Sequence, residues 1–396
     1  MADRDRDRSR DRRKRKKEQT EYFFDYSLLF VVLFLMGFGL VMIYSASSYE
    51  AQQDFGSGSF YLRKQLVADI LGLVVMMVMA NIPYRFWQRF TTLAYFASLA
   101  LIPVVLTPLG VESHGARRWV EIPGIGFNVQ PAEVAKTCMI LFLANMVCLM
   151  GKKLRTAKGL AVLIALSVPH SLAVWKITDN MSSAIIILGI AMLMIFVATP
   201  DYKRFVIMGA AAAAVVIGIV WAIFNTTIIE KLDFRGERIL AWRDPEAFAQ
   251  GKGFQTLQAL YAIGSGGIWG KGLGQSMQKL DFIPEAQNDM IFSIICEELG
   301  LFGAIAIILM FIMLLWRMMI VANNAPDLFG ALLVVGVMGH IAIQVILNIA
   351  VVTNTIPNTG ISLPFISYGG SSVLFLMAEI GLVLSVAKRI QLRELV

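Results

Sequence analysis

The sequence predicts an all-α integral membrane protein of about ten transmembrane helices, each near the ~20 residues a crossing needs, with one large extracytoplasmic loop. Three observations predict it. The chain is 57% hydrophobic and only 16% charged, with a mean hydropathy of +0.67, a balance no ordinary soluble domain of 396 residues shows. Uncharged runs such as Leu28 to Tyr44 and Phe205 to Phe224 are long enough to cross ~30 Å of hydrocarbon as helices. The basic clusters between the runs all fall on one side when the spans alternate.

Residues 1–22 are expected to form a disordered basic cytoplasmic tail, residues 23–390 the polytopic membrane domain, and residues 391–396 a short cytoplasmic C-terminus. The first 20 residues carry ten Lys or Arg against five Asp or Glu, so most of the net charge of +7 sits there. The pI of about 9.3 therefore gives no reason to expect nucleic acid as a partner. Two readings of the tail stand: attraction to anionic membrane lipid, at about 1 kcal/mol per basic residue near the surface, or a topology determinant. A signal peptide is not expected, because the charged tail precedes the first span and no small-residue cleavage site follows.

Spans are read at roughly 24–46, 66–84, 91–110, 131–150, 158–175, 181–199, 205–225, 290–319, 329–353 and 368–387. The tail, Arg85 and Arg89, the cluster Lys152, Lys153, Arg155 and Lys158, Lys203-Arg204 and Lys388-Arg389 then share one side, which puts both termini in the cytoplasm. Arg117 and Arg118 land on the other side and invite a functional reading. Cys138, Cys148 and Cys296 are too few and too scattered for a disulfide framework or a metal site.

The long loop, about residues 226–289, has an amphipathic stretch followed by glycines at 264, 266, 267, 270, 272 and 274. Such a segment lies along the membrane or folds back partway into it. The glycines serve either close re-entrant packing or phosphate binding through backbone N–H groups; their spacing is not a P-loop, so ATP is not indicated. The loop ends on Ile283-Pro284-Glu285-Ala286-Gln287-Asn288-Asp289, which delivers the Asp289 carboxylate to the mouth of a span. A carboxylate there can meet a lipid-borne substrate whose reactive head lies at the surface.

Polar residues inside the spans come next. Glu133 and Lys136 share a helix face at i and i+3, either neutralising each other or lining a water-filled cavity. His340, Gln344 and Asn348 repeat at i, i+4 and i+8, a stripe that commonly glues helices together. Glu297 and Glu298 follow Asp289 and either face the same cavity or serve packing. Asp69, His170 and Glu379 carry no assignment.

Several blocks make the chain recognisable. Asp25-Tyr26 with Gly39-Leu40 and Tyr44-Ser45-Ala46-Ser47, then Phe60-Tyr61-Leu62-Arg63-Lys64-Gln65-Leu66, open the series. Gly115-Ala116-Arg117-Arg118-Trp119 with Gln130-Pro131-Ala132-Glu133-Val134-Ala135-Lys136, Ala262 to Gly274 with Pro284 to Asp289, and Pro357 to Ser372 follow in order. Together they resemble the SEDS family (shape, elongation, division and sporulation) of FtsW, RodA and SpoVE. Two departures stand out: Gln287-Asn288-Asp289 replaces the family's His-Thr-Asp, and Asn180 occupies a position where the family often has Asp. The run Asn354 to Gly360 leans toward the family's division-type members.

The resemblance implies a peptidoglycan glycosyltransferase of the bacterial cytoplasmic membrane that polymerises lipid II into glycan strands, for division or cell shape. Transfer from an α-linked undecaprenyl-pyrophosphate donor to give a β-1,4 bond inverts configuration. The step needs a base within about 3 Å of the acceptor hydroxyl and positive charge near the leaving pyrophosphate. The resemblance implies Asp289 as the base, with Arg117, Arg118 and Arg238 toward the pyrophosphate and Trp119 stacking on a sugar or anchoring at the interface. Glu133, Lys136, Asn180 and Glu285 complete the expected substrate site. No nucleotide cofactor is expected; a divalent cation stays open, because Glu285 and Asp289 lie close without a diagnostic ligand spacing. A class B penicillin-binding protein is the implied transpeptidase partner. A lipid II flippase or transporter, and a non-catalytic division scaffold, are the alternatives; flipping would survive loss of Asp289.

Overall fold

A computed structural model describes residues 25–113, 116–124, 127–199, 234–251, 253–280 and 282–390, with scattered positions between 203 and 222. The chain begins on helix α1 (Tyr26–Phe55), whose first turn is capped by Asp25, the side chain accepting from the Leu28 amide at 2.9 Å. The helix ends at Gly56, in the left-handed region at φ 66°. It outruns the expected span because nothing between Ser47 and Phe55 breaks a helix, and Glu50, Ala51 and Gln52 favour one.

Helix α2 (Phe60–Asn81) likewise starts earlier than read, directly after the Gly56–Ser59 turn. Short α3 (Tyr84–Gln88) and α4 (Thr91–Leu101) come next, and α4 tightens into a 3₁₀ turn over Ile102–Leu106, where Pro103 removes a backbone donor. The third span therefore stops short of residue 110. The chain then enters a three-stranded antiparallel sheet, β1 (Gly110–Ser113), β2 (Ala116–Ile122) and β3 (Phe127–Val129), with Val111 opposite Trp119 and Val120 opposite Val129. The all-α expectation did not include it; alternating Val, Trp and Ile supply its β propensity.

Helix α5 (Pro131–Met150) opens on proline at its first position. Helices α6 (Ala157–Ile177) and α7 (Met181–Ala198) are capped by Thr156 and Asn180. The span expected at 205–225 falls largely outside the described residues, as does the basic tail. Helices α8 (Phe234–Arg243) and α9 (Phe254–Gly266) occupy the long loop, and α10 (Ile291–Asn323), α11 (Leu328–Val352) and α12 (Gly370–Ala387) complete the bundle. Among the described residues seven helices are long and apolar enough to cross a membrane (α1, α5, α6, α7, α10, α11 and α12), with Thr91–Leu106 a shorter apolar one.

Many large apolar side chains face outward. Phe30, Val67, Phe96, Ile312, Trp316 and Ile346 all lie exposed, which suits hydrocarbon and not water. Between helices, small residues let backbones approach. A Cβ on Gly381 of α12 would lie 2.6 Å from the Met76 carbonyl of α2, and one on Gly336 of α11 would lie 2.6 Å from Ile140 of α5. At the end of the bundle bearing Arg85 and Lys388, a salt bridge of 2.7 Å joins Arg85 to Asp327, and Lys388 donates to Asn81 at 2.8 Å. The opposite end, the loop end, carries the sheet and the long loop.

Helix α10 breaks at Gly300 (φ 66°, ψ −164°). The glycine run after α9 packs into this break. Lys271 and Gly272 amides donate to the Glu297 and Glu298 carbonyls at 2.9 Å each, and Leu301 and Phe302 amides donate to the Gly267 and Ile268 carbonyls at 3.0 and 3.3 Å. Backbone groups freed by the break are thereby satisfied. A side chain at Gly266 would strike the Cys296 carbonyl, and one at Gly270 the Glu298 carbonyl. Of the two readings of the glycines, close packing is the one these contacts fulfil, the Lys271 and Gly272 amides being already taken.

Candidate active site

The residues before α10 form a compact turn. Glu285 takes φ 50°, the Asn288 amide donates to its carbonyl at 2.9 Å, and the Asn288 side chain donates to its carboxylate at 2.7 Å. This turn is laced to the segment between α11 and α12. Asn348 donates to the Asp289 carbonyl at 2.8 Å and to the Ile361 carbonyl at 2.7 Å. The Tyr368 amide donates to the Gln287 carbonyl at 2.9 Å. Gln255 of α9 bridges the two, donating to the Pro284 carbonyl at 3.0 Å and accepting from Asn358 at 2.9 Å. A Cβ on Gly360, which has φ 67°, would stand 3.8 Å from the nearer Asp289 carboxylate oxygen. Asp289 is thus held by its backbone while its carboxyl faces the bend of Pro357 to Ser372.

Asp289 is partly buried. Burial, and then the neighbouring charge of Glu285, push its carboxyl up to about 7. Among the described residues no Lys or Arg forms an ion pair with it. A carboxyl in that range exchanges a proton near neutral pH, which an ordinary aspartate does not.

The other expected residues divide by where the fold puts them. Asn180 caps α7, accepting from the Ser183 amide at 3.0 Å, and Ser182 beside it donates to the Thr359 carbonyl at 2.6 Å. Arg118 donates to the Asp179 carbonyl at 3.2 Å. Arg118 and Asn180 thereby adjoin the same bend that Asp289 faces. Arg117 instead pairs across the hairpin with Glu112 at 3.3 Å, both well exposed, and Trp119 sits opposite Val111 on β2. Arg238 belongs to α8, but its side chain lies outside the described residues; α8 itself docks beside the bend, Trp242 donating to the Asn354 carbonyl at 3.0 Å.

Glu133 and Lys136 pair with each other at 2.7 Å, and Lys136 is only 1% exposed. The two form an ion pair across one turn of α5. The stripe on α11 is glue: His340 pairs with Glu379 at 2.8 Å, Gln344 donates to the Ser362 carbonyl at 3.0 Å, and Asn348 ties the Asp289 turn to Ile361. Thr137 donates to the other Glu379 oxygen at 2.7 Å. Glu297 and Glu298 are fully buried and paired with Lys271 and Lys279.

Sequence reasoning missed a second polar group at the loop end. Glu50 accepts from the Tyr61 hydroxyl at 3.3 Å and from the Gln287 side chain, and Tyr61 packs edge-on against Tyr368 with ring centroids 5.1 Å apart. Gln287, standing where the resembling family has His, is 1% exposed. The signal was a polar end to an otherwise apolar helix, read as the span having already ended. Among the described residues no three His, Cys, Asp or Glu converge as a metal site; Glu285 and Asp289 are a pair.

With this geometry in place, comparison with known proteins is informative. The family model for the cell cycle proteins FtsW, RodA and SpoVE matches residues 26–392. Stage V sporulation protein E of Bacillus subtilis is 36% identical over 366 residues, spanning 92% of this chain and 97% of that protein. A Geobacter metallireducens protein named probable peptidoglycan glycosyltransferase FtsW is 38% identical over 375 residues, spanning 93% and 96%. Among solved structures, a chain from a peptidoglycan synthase complex that coordinates polymerization and crosslinking superposes with a TM-score of 0.75 at 28% identity, covering 93% of this chain and 99% of that one.

Proposed function

The chain belongs to the cell cycle protein family of FtsW, RodA and SpoVE, and from that premise we propose that it is a multi-pass membrane glycosyltransferase polymerising lipid II into peptidoglycan glycan strands. The observation that carries the proposal is Asp289: a carboxyl with no cation beside it among the described residues, pushed up to about 7, facing a glycine bend at a helix mouth. A base is most effective when its pKa lies near the working pH. Asp289 takes the proton of the acceptor sugar hydroxyl as that oxygen bonds to the donor's anomeric carbon. The bond from that carbon to the undecaprenyl pyrophosphate breaks on the opposite face, so configuration inverts and a β-1,4 linkage results.

Negative charge then grows on the leaving pyrophosphate. Arg118, which donates to the Asp179 carbonyl beside the Asn180 cap, stabilises that charge, with Arg117 and Arg238 contributing from the same end. Trp119 offers a face to a sugar ring. Glu133 and Lys136 pair with each other on α5, and no step is assigned to them. No step is assigned to a divalent cation. The loop end faces the outside of the cytoplasmic membrane and both termini the cytoplasm, which the side-specific Lys and Arg clusters support. A transpeptidase of the class B penicillin-binding type crosslinks the strand; the similarity to a chain of a synthase complex supports such a partner.

The test is polymerisation of lipid II by the purified full-length protein and by Asp289→Asn, resolved by glycan strand length. Wild-type strands and none from the variant, at equal insertion and folding, are expected. Full-rate polymerisation by the variant overturns the assignment of the base. Undiminished lipid II flipping by both proteins, with no strands from either, would favour a transporter.

A further inference from the structure

The pair Glu297-Glu298 has no part in the glycosyl transfer, yet both side chains are 0% exposed. Successive residues on a helix point about 100° apart, so the two carboxylates bind different partners. Glu297 takes the Lys271 ammonium at 2.6 Å, the Ser276 hydroxyl, and the Met277 and Gln278 amides at 3.1 and 3.3 Å. Glu298 takes the Ser45 hydroxyl of α1 at 2.7 Å, the Lys279 ammonium at 3.0 Å and the Ser276 amide at 3.4 Å. Lys279 also donates to the Gly274 carbonyl at 2.7 Å and to Ser45 at 3.1 Å.

The segment gripped in this way is poor in other means of holding a shape. Six glycines between 264 and 274 supply no side chains to pack and cost the most entropy to fix. Directional charge-assisted bonds do what packing does elsewhere. The grip closes a ring of chain: it leaves the break in α10 at Gly267, is clamped at Lys271, Ser276 and Lys279, passes through Asp289, and re-enters α10. Bonds from Leu280 to Met277 at 3.1 Å and from Ile283 to Gln278 at 3.0 Å carry the clamp toward the Asp289 turn.

We propose that Glu297 and Glu298 are positioning residues for Asp289: by clamping the 267–280 segment to α10 and α1 they fix the ring on which Asp289 is carried. The proposal rests on Asp289 being the base. A misplacement of about 1 Å can cost on the order of 100-fold in rate, so a loosened ring is visible in kcat.

The experiment measures kcat, KM for lipid II, and the pH dependence of polymerisation for the full-length wild type, E297Q, E298Q, E297D, K271M and K271M combined with E297Q, with D289N as control. E297Q and E298Q are expected to lose about tenfold or more in kcat with KM little changed. Their acid limb is expected to move to lower pH, because a loosened ring lets water reach the Asp289 carboxyl and its ionisation becomes easier. E297D, which keeps a carboxylate, retains more activity than E297Q. K271M strikes the clamp from its part-exposed side, and K271M combined with E297Q leaves no buried charge alone, so a fall in kcat with a shifted limb in that double variant supports the clamp even where a single variant fails to fold. Wild-type kcat and limb in K271M and E297Q overturn the proposal, as does a loss that merely tracks the folded fraction with the limb unmoved. Full activity of D289N, by contrast, removes the base assignment itself, whatever the glutamate variants do.

Discussion

Asp289 and the pair Glu297-Glu298 lie close along one stretch of chain, and their surroundings are opposite. Each glutamate has a lysine within 3.0 Å and amides or hydroxyls on its remaining lone pairs. Among the described residues no lysine or arginine pairs with Asp289; its own backbone amide favours the charge, and burial and Glu285 outweigh it. A carboxylate whose charge is fully compensated is fixed in place and inert. One whose charge is left uncompensated is ready to take a proton. The same fold that spends lysines on holding the loop withholds them from the residue the loop delivers.

The sharpest way to break this contrast is Asp289→Asn. If Asp289 is the base, polymerisation falls about 10²–10⁴-fold. Stability moves the other way. A carboxyl raised from 3.8 to about 7 on folding opposes folding, an effect absent at low pH, growing as pH rises from 3.8 toward 7 and complete above that. The variant is therefore expected to melt no lower than wild type at about pH 8, measured by thermal denaturation in detergent. A variant that is both inactive and strongly destabilised would instead make Asp289 a structural acceptor.

Glu133 and Lys136 test the compensated side of the comparison. Removing one partner leaves a buried charge alone and costs about 3–5 kcal/mol, whereas removing both is far milder. Lys136→Met should lower the melting temperature markedly, and Glu133→Gln with Lys136→Met should recover most of the loss. Polymerisation by the double variant then separates the two roles the sequence allowed. Near-normal activity leaves the pair as a neutralised helix contact; lost activity in a stable protein makes it part of the substrate path.

The difference between legible and illegible follows the same line. The helical membrane class and Asp289 at a helix mouth were legible because hydropathy acts locally along the chain; of the ten spans read, seven helices among the described residues are long and apolar enough to cross. The stripe of His340, Gln344 and Asn348 was legible as glue from its helical period, although its partners Glu379, Ser362 and Asp289 were not. The lysine partners of Glu297 and Glu298 lie 26 and 19 residues away across a glycine run, where no periodicity links them. Glu50 was hidden because α1 continues past its apolar stretch, and the small sheet because an apolar helix ends just before it. The break in α10 was hidden too, since Gly300 sits inside a long apolar run whose hydropathy reads as one continuous helix. Gly300→Ala probes it: φ 66° disfavours any side chain, and the new Cβ would lie 2.5 Å from the Ile268 carbonyl. A loss of about 1–3 kcal/mol in stability is expected, with activity falling further than the folded fraction because the ring carrying Asp289 closes at this break.

The smallest effect is the most specific. Glu285→Gln keeps an oxygen for the Asn288 side chain, now bonded at 2.7 Å, and removes only the charge. Like charges hinder each other's ionisation, so without Glu285 the Asp289 carboxyl loses its proton more readily. The base is active when deprotonated, and the rate rises with pH through its pKa. The acid limb of the kcat profile should therefore move to lower pH by a fraction of a unit, with the plateau unchanged. Burial, the larger cause, stays in place in this variant, which is why the shift is small. A limb that does not move would mean the titrating group is not Asp289. A fallen plateau would mean Glu285 contacts the reacting sugars and is more than a neighbouring charge.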